Sequence, residues 1–337
     1  MLIADGWKDF EVLDCDGGEK LERWGDYILL RPDPQVIWRT GRKAPEWKKL
    51  SGHYHRSAKG GGDWEIFDLP EEWQIGYTLS SIEKEIRFNL RPFKFKHTGV
   101  FPEQAANWEI FSKLIADRKA AEPDREVKVL NLFAYTGGAT MAAAAAGASV
   151  THVDASKGMV GWAKDNAGAS HLASAPIRWL VDDCVKFVER EIRRGNHYDA
   201  VIMDPPSYGR GPKGEIWKIE DSVWYLVNIC AQLLSDKPLF FLINSYTTGL
   251  QPAVLSYMLS AVLTQGRTGG VGYRTIEADD AQKNQEQDGN TGDAYEGGSA
   301  PEAGRKFSCR VTASEIGLPV KHTGLVLPCG ASGMAVF

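Results

Sequence analysis

The sequence predicts an α/β fold in which a doubly wound parallel sheet follows a smaller β-rich domain. Two observations carry this. From about residue 105 apolar strand-like runs alternate with helix-like segments, whereas residues 1–96 hold short β-type runs broken by turns. The apolar run Val127–Phe133 also opens into a helix through Gly137 and Gly138, as a ligand-binding strand of such a sheet does. The expected division is therefore a β-rich accessory domain at 1–96 and the larger domain at 97–337.

In the first region, Tyr27–Leu30, Val36–Trp38, Trp64–Phe67, Tyr77–Leu79 and Glu85–Leu90 read as strands, with Gly60-Gly-Gly62 as a loop. Pro102 then precedes Ala105–Arg118, where Trp108, Phe111, Leu114 and Ile115 fall at helical spacing. Five strands follow at 127–133, 149–154, 177–181, 198–203 and 238–243. The helices between and after them run over 139–146, to about 169, to 193, over 220–234 and over 252–263. Such alternation calls for a parallel sheet covered on both faces. Residues 278–305 are rich in Asp, Glu, Gly, Asn and Gln, with hardly a large apolar side chain, and read as a disordered acidic loop. That loop interrupts an expected antiparallel pair at 270–277 and 306–312, and Thr323–Leu327 reads as a sheet-edge strand before a Gly-rich tail.

Composition narrows the function classes. Of the 337 residues 43% are apolar and 25% charged, as in an ordinary globular protein, and no apolar stretch is long enough to span a bilayer. The N-terminus lacks the layout of a secretion signal, and the five cysteines form no CxxC pair. A cytoplasmic protein without metal or disulfide framework is expected. A net charge of −5 argues against coating nucleic acid by bulk charge. Residues 31–60, however, carry Arg31, Arg39, Arg42, Lys43, Lys48, Lys49, Arg56 and Lys59 against Asp33 and Glu46 alone, with Trp38, Trp47 and Tyr54 interleaved. Cations beside flat rings suit single-stranded nucleic acid, and equally a solvated face over an aromatic core.

In open α/β sheets ligands bind beyond the carboxyl ends of the strands. Four successive strands deliver polar or glycine-rich segments there. The first ends in Phe133-Ala-Tyr-Thr-Gly-Gly138, where glycines permit close approach and the helix N-terminus favours an anion. The second ends in Asp154, placed to accept hydrogen bonds from ribose hydroxyls, with Ala155 beside it. The third leads to Asp182-Asp183-Cys184, placed to meet an adenine edge, and the fourth ends in Asp204-Pro-Pro-Ser-Tyr208. The dinucleotide fingerprint GxGxxG is absent, which disfavours a nicotinamide cofactor; adenosylmethionine has no phosphate and tolerates a looser loop. Two consecutive prolines stiffen the last segment, and Tyr208 offers a ring on which a planar base could stack.

Residues 93–337 resemble the class I methyltransferases that modify large-subunit ribosomal RNA, the group with an Asp-Pro-Pro-x-aromatic loop. Leu130–Gly138 is similar to that family's first motif and Thr98–Gln104 to its pre-core segment, and 177–187 and 204–209 also align. The resemblance implies a Rossmann-like sheet and S-adenosylmethionine as cofactor. It implies that Phe133, Ala134, Tyr135, Thr136, Gly137 and Gly138 cradle the methionine part and that Asp154 binds ribose. It further implies that Asp183 with the Cys184 amide reads adenine, Asp182 being the rival, and that Gln104 closes over the cofactor. Asp204, Pro205, Pro206 and Tyr208 would meet the methyl group and the target. Relatives that methylate cytosine carbon carry a cysteine just after the fifth strand; here that position reads Ile243-Asn-Ser-Tyr246, which favours a nitrogen acceptor in RNA, ribosomal RNA first. The rivals are a methyltransferase acting on a protein or small molecule, a nicotinamide oxidoreductase, and a non-catalytic RNA-binding module. No basic catalyst is obvious in the sequence.

Overall fold

The computed structural model describes residues 1–57, 61–92, 96–210, 216–264 and 306–337. The chain begins with β1 (Leu2–Ile3), then β2 (Phe10–Asp16), β3 (Glu19–Trp24), β4 (Tyr27–Pro32), β5 (Gly52–Arg56) and β6 (Gly62–Ile66). Strands β2 to β6 form a five-stranded sheet in sequence order, and β7 (Trp73–Leu79) and β8 (Lys84–Leu90) form a separate hairpin. Strands β2, β3 and β5 escape the sequence reading because acidic and basic residues interrupt their alternation. Asp14, Asp16 and Glu22 are nonetheless buried, each with hydrogen-bond partners. Val36–Trp38 is not a strand: its carbonyls accept from Gly17 and Gly18, so it lies along the β2–β3 turn rather than in a ladder.

The larger region follows the predicted alternation: α1 (Ala105–Ala121), β9 (Lys128–Leu132), α2 (Gly138–Ala145), β10 (Ser149–Asp154), α3 (Lys157–Ala169), β11 (Ile177–Val181), α4 (Cys184–Arg193) and β12 (Ala200–Met203). After a small hairpin of β13 (Tyr208–Arg210) and β14 (Ile216–Lys218) come α5 (Ile219–Ala231), β15 (Phe240–Ser245) and α6 (Pro252–Leu263). Strands β16 (Arg310–Pro319) and β17 (Val326–Val336) complete an eight-stranded sheet of order β1-β16-β17-β15-β12-β9-β10-β11. The pairings from β11 through β15 are all parallel. Neighbouring residues on each central strand face opposite ways. Val129, Ile202 and Phe240 pack with α1 and α2, while Leu130, Val201 and Phe241 pack with α4, α5 and α6. The first of these cores continues into the N-terminal region through Trp24, Trp73 and Phe88.

The C-terminal tail departs from expectation. It is strand β17, and it lies inside the sheet between β15 and β16, antiparallel to both. Its glycines are what allow this: a Cβ on Gly330 would stand 2.9 Å from the Ser245 carbonyl, and one on Gly333 would stand 3.0 Å from Leu255 Cβ. The partner that β16 takes is therefore 326–336; the expected strand at 270–277, the loop at 278–305 and Gly60 lie outside the described residues.

Several seams tie the regions together. Strand β1 pairs with β16. The free edge of β8 is satisfied by α3: Asn89 N–H donates to Asn166 Oδ1 at 2.9 Å, Arg87 N–H to Ser170 Oγ at 2.8 Å, and the Trp162 indole to Asn89 O at 2.7 Å. Gly330→Ala should cost about 1–3 kcal/mol through forced displacement of β15. Urea denaturation should show a lower midpoint with an unchanged slope, and an unchanged midpoint would mean the close approach at Gly330 relaxes freely.

Candidate active site

Strand order reverses between β9 and β12, because the chain runs outward through β10 and β11 before returning. A cleft of about 780 Å³ opens beyond this point, at the carboxyl ends of the strands. Its floor is the loop after β9. Phe133 (φ 54°), Tyr135 (φ 50°) and Gly137 (φ 85°) are left-handed, a conformation that non-glycine residues adopt only when held. The holding contacts are visible. Phe133 N–H donates to Cys184 Sγ (3.3 Å), Ala134 N–H to Val153 O (3.1 Å) and Tyr135 N–H to Asp154 Oδ2 (2.9 Å). Gly138 starts α2 where a Cβ would stand 2.7 Å from the Trp108 ring. The Thr136 hydroxyl donates to Gly99 O, which pins the pre-core segment to this loop.

Asp154 and Asp183 border the cleft at the next two strand ends, together with Ala155 and Cys184. Asp154 Oδ1 also accepts from Ser156 N–H at 2.8 Å; burial raises its carboxyl above the ordinary range while the two amides pull it back. Asp183 caps α4 by accepting from Lys186 N–H at 2.9 Å. Its rival Asp182 pairs with Arg190 and does not border the cleft. Each of the two cleft acids keeps lone pairs for further donors. Asp204 is half-buried in the opposite wall, and burial followed by the nearby Glu103 charge pushes its carboxyl up to about 7. Pro205 and Pro206 follow it along the wall.

Several sequence-predicted residues stand elsewhere. Tyr208 is 51% exposed and does not border the cleft. It starts strand β13, whose alternation turns Ser207 and Gly209 inward instead. The aromatic ring at that wall is Trp217, opposite Gly209, which donates to Pro206 O at 2.6 Å and lies 5.2 Å from the Phe133 ring. Gln104 sits behind the cleft. Its Nε2 donates to the Tyr246 hydroxyl (2.7 Å), and its Oε1 accepts from Asn107 (2.9 Å) and Asn244 (3.0 Å). Thr136 and Gly138 line a smaller adjoining cavity, while Gly137 supplies the turn.

The sequence reading did not place Glu103, Tyr246 or the N-terminal region at the cleft, giving Arg31 only as part of a basic face. Lys20 and Arg31 from the five-stranded sheet and Asp33 just after it, with Lys96 and His97, form the cleft's far wall. Arg31 grips Glu22 in a two-pronged pair (2.6 and 2.9 Å), and Lys20 lies 3.4 Å from Glu22 and 3.3 Å from Asp33. Burial would raise the Glu22 carboxyl, but Arg31 and Lys20 outweigh it and hold it at about 2. Burial, helped by Arg31 and Lys96, holds the His97 imidazole down at about 3.

The basic window at 31–60 is accordingly split. Arg31 is buried in the cleft wall, and Arg42 pairs with Glu19 while stacking on Trp47. Arg39, Lys43, Lys48, Lys49 and Arg56 are exposed, and Lys59 lies outside the described residues. Farther along the chain Arg87 pairs with Glu85, Arg91 pairs with Glu72 and covers Trp162, and Lys94 is outside the described residues.

A family model for S-adenosylmethionine-dependent methyltransferases matches residues 54–251, more than half of the chain. The chain belongs to that family. The methyltransferase is similar to a SAM-dependent methyltransferase from Agrobacterium tumefaciens of known structure. That likeness has 32% identity and a TM-score of 0.78, and covers 99% of this chain and 92% of that one. A solved methyltransferase structure complexed with SAH shares the fold at 20% identity and a TM-score of 0.59, over 76% of this chain and 66% of that one. Among curated relatives, the Ribosomal RNA large subunit methyltransferase K/L of Pseudoalteromonas atlantica is 31% identical over 42% of this chain and 19% of its own length. That of Colwellia psychrerythraea is 24% identical over 57% of this chain and 23% of its own. The methyltransferase thus spans about a fifth of the length of those relatives. Its cofactor is S-adenosylmethionine, and the cleft fits an adenosyl amino acid: a left-handed backbone loop, carboxylates at two strand ends, and apolar rings between.

Glu22→Gln should leave Arg31 and Lys20 buried without a full countercharge and destabilise the fold by roughly 3–5 kcal/mol. Because the Glu22 carboxyl is depressed in the fold, the difference should be complete above pH 4.5 and vanish as pH falls toward about 2. Chemical denaturation of both proteins across that range measures it.

Proposed function

We propose that this methyltransferase transfers the methyl group to a base nitrogen in RNA, ribosomal RNA being the first substrate to test. The observation that carries the reading is the composition of the cleft's far wall. Beyond the cofactor loop stand Trp217 and the Pro205–Pro206 segment on one side, and Lys20, Arg31 and Lys96 on the other. A flat ring and cations suit a planar base on a phosphate backbone. The exposed Arg39, Lys43, Lys48, Lys49 and Arg56 offer further phosphate contacts outside the cleft. The names of the curated relatives point the same way, and a cytoplasmic setting goes with that substrate.

In this reading the loop Phe133–Gly138 cradles the methionine part, Asp154 and Ala155 take the ribose, and Asp183 with the Cys184 amide takes the adenine. Gln104 shapes the site through Tyr246 rather than by contact. When bound, S-adenosylmethionine supplies an electrophilic methyl on a sulfonium, so the protein's task is alignment and charge. Asp204, with the carbonyls of the Pro-Pro segment, orients the acceptor nitrogen. Cysteine attack is disfavoured: Cys184 and Cys329 border the cleft, but burial holds both thiols well above their ordinary value and so protonated.

The test is transfer of tritiated methyl to total RNA from a strain lacking this protein. Asp204→Ala should lower transfer by about 10²–10⁴-fold while leaving adenosylhomocysteine binding within a few-fold, and Asp154→Ala should chiefly weaken that binding. Asp204 is ionised above about 7, so the rate should rise with pH through neutrality. Binding measured without transfer to RNA would redirect the search to protein or small-molecule acceptors. A Lys43, Lys48 and Lys49 triple alanine variant should bind RNA more weakly, with a salt dependence shallower by about 0.7 per lost phosphate contact. An unchanged slope would remove that face from the binding surface.

A further inference from the structure

The proposed transfer to nitrogen releases a proton, and the sequence supplies no evident group to take it. Glu103 is placed to do so. It lies in the turn Pro102–Gln104 just before α1, is only 6% exposed, and borders the same cleft as Asp204, Pro205 and Pro206. The wall behind the cleft is fixed. The carbonyl of Gln104 is occupied by the amides of Asn107 and Asn244, which leaves its Nε2 to donate to the Tyr246 hydroxyl. That hydroxyl has one proton to give, and Tyr246 borders the cleft together with Glu103. Tyr246 therefore accepts from Gln104 and keeps its own proton for a group in the cleft.

We infer that Glu103 is a catalytic residue of the acceptor subsite, accepting the proton of an N–H nucleophile that Asp204 orients. This rests on the nitrogen-acceptor reading above. In the step, the nitrogen lone pair forms the new N–C bond and the C–S bond breaks with its electron pair retained by sulfur. The N–H electron pair stays on nitrogen while the proton passes to Glu103, and from there to solvent as product leaves. The charged and titratable groups that border the cleft with Glu103 include Lys20 and Arg31 from β3 and β4, Tyr246 after β15, Asp204 after β12 and Cys329 on β17. Burial raises the Glu103 carboxyl, with Lys20 and Arg31 opposing, and its charge in turn raises Asp204. Two carboxyls so coupled titrate as a pair.

The deciding variant is Glu103→Gln, which keeps the size and shape of the side chain but cannot take a proton. Single-turnover transfer to RNA from the strain lacking this protein should fall by about 10²-fold or more. Affinity for adenosylhomocysteine should stay within about 3-fold, and the rise of rate with pH should shift to lower pH as Asp204 loses its neighbour. A variant with wild-type rate and pH profile overturns the assignment, and one that loses rate and adenosylhomocysteine binding together makes Glu103 structural. A second measurement needs no RNA: carbon NMR of the Asp204 carboxyl in the full-length protein should show it titrating at lower pH in Glu103→Gln. An unmoved titration overturns the coupling. If the wild type labels no RNA, the RNA reading fails, and the Asp204 titration still decides whether Glu103 faces it.

Discussion

The reversal of strand order between β9 and β12 is the constraint on which the rest of the molecule depends. Where the chain turns back, the loops leaving β9 and β12 part in opposite directions, and nothing in the sheet can fill the gap between them. That gap brings the left-handed segment Phe133–Gly137 and the Asp204–Pro206 segment to facing walls. It also explains why strain is tolerated there. The turn at Phe133 and Tyr135 persists because Cys184 and Asp154, themselves at neighbouring strand ends, accept its amide hydrogens. The acid that faces the cofactor's ribose in the proposed site is thus also the one that fixes the loop beneath it.

The N-terminal region completes this crevice. Its five-stranded sheet carries a buried ionic cluster, Lys20–Glu22–Arg31–Asp33, that would be a poor choice for stability alone. Set against the open side of the cleft it has another use: it builds a wall of fixed polar groups, its two cations balanced by two carboxylates, with little side-chain entropy left to lose. Arg31 also donates to the Lys96 carbonyl at 2.8 Å, which fastens the segment leading into the pre-core turn. The far wall, the turn carrying Glu103 and the start of α1 are in this way one construction.

Much of the larger region was legible in the sequence. The parallel strands β9 to β12 and the helices around them appear within about three residues of where apolar periodicity places them, since buried strands and amphipathic helices leave strong local signals. The failures are equally physical. Strands β2 and β3 bury acids against distant partners, which period-two reading scores as exposed positions. Strand β17 hides behind glycines that a tail would also contain, and only its packing against Ser245 and Leu255 shows why they are there. In the site, the four strand-end positions were visible because they are local to their strands. The orientation of Tyr208 was not, since it depends on pairing with 216–218, and Trp217, Tyr246 and Glu103 reach the cleft from segments far apart in sequence.

Asn166 fastens two parts of the molecule at once. One side-chain amide accepts from Asn89 on β8 and donates to the Thr136 carbonyl in the loop after β9. The accessory hairpin and the cofactor loop consequently share a fastening, although they lie in different sheets. A graft of the N-terminal region from a distant relative would have to bring a matching strand edge or forfeit the geometry of the loop. Recombination between family members should therefore succeed with the breakpoint outside the β8–α3 unit, which is inherited whole or not at all.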